Sequence, residues 1–350
     1  MKEKWNLELS EYIKQGEPTQ VEKTKNWETA IGLQEVDGLK PSKYLVETVK
    51  EHIEGKIELE EVKERINNYY KVLNDRKSEE KEDSEEADKV SVRITEVLSD
   101  KSFSFNPTEL ISIHKKLFTG VYKHAGIIRN YNFTKNEWIL NEDTVTYASY
   151  ETIMSTLDYD FEQEKNFSYK DLSLDESIKH LCRFTSNIWQ VHPFCEGNTR
   201  TTAVFIIKYL KTFGFNINNT VFANNSWYFR NALVRANYKN FEKNIFEDIS
   251  YLEKFFYNLL SNTNYDLKNR YTHIDYIQDT SNKDLKNKDY TLEEQTILNL
   301  IKENSFIKQE EIAQIIGKSI RTVKTKMTEM QEKGIITRKN GKKTGEWQIL

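Results

Sequence analysis

A chain of 350 residues is long enough for about two or three domains, and with 37% hydrophobic and 12% aromatic residues it can bury sizeable cores. Four prolines and 12 glycines favour helices over a turn-rich β protein, and a net charge of −4 excludes a global pull toward nucleic acid or membrane, so any basic surface must be local. Two cysteines, Cys182 and Cys195, make no disulfide framework and suit a reducing cytoplasm. Met1–Ser10 lacks the apolar stretch of a secretory signal, and no apolar run approaches the ~18 residues a membrane helix needs, so the expectation is a soluble cytoplasmic protein.

In chain order, Trp27 to about Leu73 carries apolar residues at helical spacing, among them Ile31, Leu45, Val49, Ile53, Val62 and Ile66, with Pro41-Ser42 as a helix start. Asp75–Lys89 is almost pure charge and reads as a solvated linker, closing an N-terminal helical segment over 1–89. Residues 90–264 read as one helical unit, with helices predicted at Glu109–Phe118, Tyr150–Phe161, Leu174–Val191, Thr199–Phe213 and Trp227–Asn237. Inside it, Ile127–Tyr147 alternates Tyr131, Phe133, Trp138, Leu140, Val145 and Tyr147 around Asn141-Glu142-Asp143, which predicts a β-hairpin. Residues 265–290 are polar and read as a second linker, and 291–350 form a compact third unit. The fold class expected is mainly α.

The chemistry concentrates between two of these helices. Leu174–Val191 must stop at His192-Pro193, and the next helix starts near Asn198 or Thr199, both good N-cap types. Glu196-Gly197-Asn198-Thr199-Arg200 then lies at a helix N-terminus, where free N–H groups and the helix dipole favour an anion. Gly197 permits close approach of a phosphate, Arg200 offers a planar cationic fork, and Glu196 is a hard oxygen ligand of the kind Mg²⁺ uses beside substrate phosphates. His192 can take a proton at neutral pH. Base, metal ligand, phosphate cradle and arginine within nine residues describe phosphoryl or nucleotidyl transfer.

His192-Pro193-Phe194-Cys195-Glu196-Gly197-Asn198-Thr199-Arg200 resembles the signature of the Fic family, H-P-F-x-D/E-G-N-G-R-x-x-R, and matches seven of its nine specified positions. The likeness extends over Val90–Thr263. It implies a Fic-type helical core with the Ile127–Tyr147 hairpin as a substrate-positioning flap, and transfer of AMP from ATP to a Tyr, Thr or Ser hydroxyl of a target protein, this chain itself included. The resemblance implies that His192 is the base, Phe194 anchors the loop, Glu196 holds Mg²⁺, and Gly197 with its neighbours Cys195 and Thr199 forms the anion hole. It further implies that Asn198 meets the α-phosphate, Arg200 grips the outer phosphates and Asn237, after the stretch Ala232–Ala236, faces the nucleotide. Two positions depart from the pattern: Thr199 replaces its second glycine and Ala203 its last arginine. A Doc-like transfer of phosphate from ATP is the alternative within the same fold, and a DNA-binding regulator with a weakened Fic body is the alternative outside it.

Leu33–Ser42 resembles the small antitoxins that inhibit Fic enzymes, whose S/T-x-x-x-E-G/N pattern pairs its glutamate with the last arginine of the catalytic motif. Here Asp37 stands for the glutamate, Gly38 matches, and the expected partner is Ala203. The expectation is an antitoxin shape whose braking salt bridge is absent or reworked, with Glu35 as a second candidate carboxylate.

Helices at Glu293–Lys302, Lys308–Ile316 and Ser319–Lys333, a turn at Lys339–Lys342 and strands at Gly334–Thr337 and Glu346–Leu350 follow the plan of a winged helix. Lys318–Lys343 holds nine basic and two acidic residues, a net of +7, which points to duplex DNA with Arg321, Thr322, Lys324 and Thr325 nearest the groove. His180, Cys182, His192 and Cys195 fit no common zinc spacing, Cys195 beside His192 has nothing near it to activate a thiol, and Gly317-Lys318-Ser319 lacks the first glycine of a P-loop. The target and the oligomeric state, a homo-oligomer included, stay open at the level of sequence.

Overall fold

The computed structural model describes residues 9, 12, 17–75, 82–214, 220–261, 263–276, 290–339 and 345–350. Residues 1–8, the centre of the first charged run, residues 277–289 of the second linker and the wing turn at 340–344 lie outside them. Among the described residues the chain is mainly helical, with two small antiparallel sheets. No described helix is long and apolar enough to cross a membrane.

Three hydrophobic clusters organise the molecule. The first joins α1 (Pro18–Gly32), α2 (Lys43–Ile53) and α3 (Leu59–Asp75) around Trp27, Leu45, Val49, Ile53, Val62, Ile66 and Tyr70. A 3-10 turn, Leu33–Asp37, follows α1 and stops at Gly38, whose φ of +73° a glycine adopts freely. Ser42 caps α2 by accepting from the Leu45 N–H at 3.0 Å, as the Pro41-Ser42 pair predicts.

The described end of the charged run, residues 82–89, does not behave as a linker. Helix α4 spans Glu82–Ser99 and crosses the boundary expected at residue 89. Its Val92 belongs to the first cluster, while Val90, Ile94, Val97 and Leu98 belong to the central one. Composition misleads here because the charges have partners: buried Asp88 accepts from the Ser42 N–H, the Ser42 hydroxyl and the Tyr70 hydroxyl. Burying that carboxylate is tolerable because it is so fully hydrogen-bonded.

The central cluster is built from α4, α5 (Pro107–Phe118), α6 (Ile153–Asn166), α7 (Leu174–Val191), α8 (Asn198–Thr212), α9 (Thr220–Ala236) and α10 (Ser250–Ser261). Helix α7 begins with a capping box between Ser173 and Glu176. Helix α8 is buried along nearly its whole length, which suits a central helix.

The predicted hairpin is much shorter than expected. Strands β1 (Asn136–Glu137) and β2 (Asp143–Thr144) pair for two residues each, joined through a 3-10 turn at Trp138–Leu140. Ile139 and Leu140 are both fully buried, and adjacent residues of a strand cannot share one face, so the chain coils there. The first part of the second linker is also not free. Tyr265, Leu267, Tyr271 and Ile274 pack on the central cluster, and the Ile274 N–H donates to the Ile139 carbonyl at 2.9 Å.

The third cluster sits between α11 (Leu292–Glu303), α12 (Gln309–Ile315), α13 (Ile320–Glu332) and the hairpin β3 (Ile336–Lys339) and β4 (Glu346–Ile349), the winged-helix plan.

Candidate active site

Helix α7 ends because His192 takes a left-handed conformation, φ +49°, ahead of Pro193. A non-glycine residue there is strained and must be held by its surroundings. Arg129 supplies the hold. Its Nε donates to the His192 carbonyl at 2.7 Å, its Nη1 to the Tyr131 carbonyl and its Nη2 to the carbonyls of Ala148 and Val191, while its own N–H donates to the Pro193 carbonyl. Nothing in the sequence around Arg129 signals this clamp.

The His192 ring is 5% exposed, lies against Tyr147 at 4.0 Å between centroids and meets the edges of Trp189 and Phe133. Burial first, then the charges of Lys135, Arg129 and Arg230, hold its pKa well below the usual value. At neutral pH it is therefore an uncharged imidazole able to accept a proton.

The loop after it is closed from inside. Phe194 is buried and stacked on His114 at 3.7 Å between ring centroids. His114 Nδ1 accepts the Gly126 N–H, so its Nε2 carries the proton and donates to the Glu196 carbonyl at 3.1 Å. Asn198 folds back on Phe194, donating to its carbonyl at 2.7 Å and accepting from its N–H at 3.0 Å. Its amide staples the loop instead of standing free for a phosphate. The N-cap of α8 is Gly197, not Asn198 or Thr199 as expected. Gly197 has φ +75°, and a Cβ there would lie 2.5 Å from the Phe118 ring. Thr199 fits where the signature has glycine because its hydroxyl accepts from Trp189 Nε1 at 2.9 Å.

His192, Glu196, Gly197, Asn198 and Thr199 line one cavity, together with Asp37, Lys135, Glu137, Tyr147, Trp189 and Arg230. Its free volume is about 20 Å³, room for roughly one water. The Glu196 side chain is 56% exposed, with Lys135 Nζ 3.9 Å away. Among the described residues no cluster of three metal-ligating side chains exists. A single exposed carboxylate at a helix N-terminus fits an ion such as Mg²⁺ that completes its shell with substrate oxygens, and does not fit an all-protein metal cage.

Besides the buried Phe194, three predicted nucleotide-site residues lie off this cavity wall. Arg200 is 1% exposed and points into the protein. Its Nη1 donates to Gln34 Oε1 at 2.9 Å, its Nη2 to Glu86 Oε1 at 2.7 Å and to the Tyr122 hydroxyl at 2.8 Å, and it covers the Phe118 ring at 4.8 Å. Burial works against this charge, but Asp37, Tyr122 and Glu86 outweigh it and keep the guanidinium ionised. Asn237 donates to Ser186 and to the Leu233 carbonyl and is not part of the cavity wall. Cys195 stands beside the cavity, with the Tyr131 hydroxyl donating to its Sγ at 3.3 Å.

The antitoxin-like turn reaches the loop by an unexpected contact. Asp37 Oδ2 lies 2.8 Å from Arg200 Nε, an ion pair whose approach is off the N–H axis. Ala203 is buried and apolar. The carboxylate thus pairs with the arginine that remains, and Gln34 adds a second contact from this turn. Sequence spacing could not find Glu86 or Tyr122, which come from other parts of the chain. It could have marked Arg230 and Glu137 only as isolated charges.

Residues 104–210 match the Fic/DOC family model, and residues 294–337 match the winged helix-turn-helix DNA-binding model. Among solved structures, a Fic family protein from Desulfovibrio desulfuricans G20 at 2.70 Å resolution is similar at 11% identity and a TM-score of 0.43, over 100% of this chain and 97% of that one. No curated protein matches.

Proposed function

We propose that this chain, through its Fic/DOC domain, moves AMP from ATP to a hydroxyl of a protein. The observation that carries the reading is the buried, uncharged His192 on the same cavity wall as Glu196 and the N-terminus of α8. His192 takes the proton of a Ser, Thr or Tyr hydroxyl as its oxygen attacks the α-phosphorus. The new O–P bond forms as the bond to pyrophosphate breaks, and pyrophosphate leaves. The backbone N–H groups at the start of α8 face the developing charge. Glu196 would hold Mg²⁺ against phosphate oxygens, and the ion when bound offsets their charge.

In this reading the turn Leu33–Asp37 is a brake moved from the missing arginine to Arg200. Asp37 adds a negative charge to the cavity that ATP must enter. Labelling with α- and γ-labelled ATP tests the activity. Alpha label on the wild type and none on His192→Ala supports AMP transfer, whereas γ-label alone assigns phosphate transfer and rejects our reading.

A second reading attaches to the C-terminal unit. Ser319 caps α13 by accepting from the Thr322 N–H, and Val323, Met327 and Met330 turn inward. Arg321, Thr322, Lys324 and Thr325 are left exposed on the outer face. That is the placement of a recognition helix, and duplex DNA is the partner proposed for it.

A further inference from the structure

The catalytic loop leaves the outer phosphates of a nucleotide without a cation. Residue 203 is a buried alanine, and Arg200 is committed to Asp37, Glu86, Gln34 and Tyr122. Two other cations face the cavity: Lys135 beside β1 and Arg230 on α9. Arg230 is held by Glu137 of β1. Its Nη2 donates to Oε1 at 2.9 Å and its Nη1 lies 2.7 Å from Oε2, with the two side chains 11% and 1% exposed.

This pair ties the flap to α9 across the cavity. With about 20 Å³ free, the cavity cannot hold a nucleotide, since ligand pockets run to several hundred Å³. Entry of a phosphate chain at this wall parts the pair. Parting leaves an arginine fork on the cavity wall, a shape suited to phosphate oxygens. Glu137 keeps a cation nearby, because Lys135 precedes it by two residues and already acts on its charge.

We infer that Arg230 binds the outer phosphates in place of the arginine missing at position 203, and that Glu137 is the counter-ion it exchanges for them. The inference rests on the nucleotide reading above. It predicts opposite effects from the two members of the pair. Calorimetry with ATP and with adenosine on wild type, Glu137→Gln, Arg230→Met and the double variant, each checked by its melting temperature, separates an anchor from a mere latch. We expect Glu137→Gln to bind ATP about tenfold tighter than wild type. The double variant should bind it at least tenfold more weakly than Glu137→Gln, with adenosine affinity the same in both. A double variant that binds ATP as tightly as Glu137→Gln would make Arg230 a latch and overturn the inference, even with wild-type α-labelling intact. A wild type that neither binds ATP nor takes α-label would overturn this inference and the nucleotide reading together.

Discussion

Replacing Asp37 by asparagine removes one charge from the cavity. The Asp37 side chain is 29% exposed, and Arg200 keeps Glu86, Gln34 and Tyr122. Arg200 is buried, so losing one of its two counter-charges costs stability, about 1–3 kcal/mol with Glu86 retained. The effect on ATP runs the other way. A phosphate charge brought to ~5 Å from a carboxylate at an effective dielectric of ~20 is repelled by ~3 kcal/mol. Removing that repulsion tightens ATP binding by about a hundredfold. Calorimetry measures the affinity, and initial rates of α-label incorporation measure the consequence. Glu86→Gln is the control. It removes the other counter-charge of Arg200 from outside the cavity, so it should cost stability without tightening ATP. A folded Asp37→Asn protein with ATP affinity and labelling rate within twofold of wild type would refute the reasoning.

Gly197→Ala should destabilise the fold by about 2–5 kcal/mol, from the left-handed backbone and the 2.5 Å approach to Phe118 together, and a urea melt reads it. Burial, and secondarily Lys23, hold the His52 imidazole at about 4, against the opposing pull of Glu58, while its Nδ1 accepts from Trp27 Nε1 at 2.9 Å. The unfolded chain, with its histidine near 6.5, then takes up a proton before the folded one. This contribution is complete above pH 6.5 and is lost as pH falls toward 4, by ~2 kcal/mol at pH 5. His52→Gln should lack that part of the acid destabilisation in urea melts at the two pH values. For the winged helix, Arg321→Ala with Lys324→Ala should weaken duplex binding and lower its salt slope by about 2, one per charge, in anisotropy titrations. An unchanged slope would remove α13 from the DNA interface.

The helices and the loop were legible because their signals are local. The apolar spacing of Leu174–Val191 and the stop at His192-Pro193 marked α7 and the turn from neighbouring residues, and the cap of α8 fell one residue before the expected Asn198. The rest depended on contacts distant in sequence. Arg200 looked like a phosphate ligand because its position matched a pattern, yet Gln34 and Glu86, 166 and 114 residues away, draw it inward. The flap misled for a different reason: alternation of aromatics predicts strands, but Tyr147 and Phe133 surround His192 instead of pairing across a ladder. Residues 82–89 show that charge density does not by itself mean solvation, since Asp88 and Glu86 are spent on interior partners.

Helix α4 gives the N-terminal unit and the central helical unit a common wall. It packs Val92 toward one and Ile94 toward the other, and Glu86 on its first turns holds Arg200. A free antitoxin can be titrated away by dilution or degraded ahead of its enzyme. The segment before residue 89 cannot be removed so simply, because cutting it off would also take away Glu86, a carboxylate that neutralises a buried guanidinium. If the turn Leu33–Asp37 is the brake proposed above, its release is a shift of five residues within one chain, a first-order event independent of protein concentration.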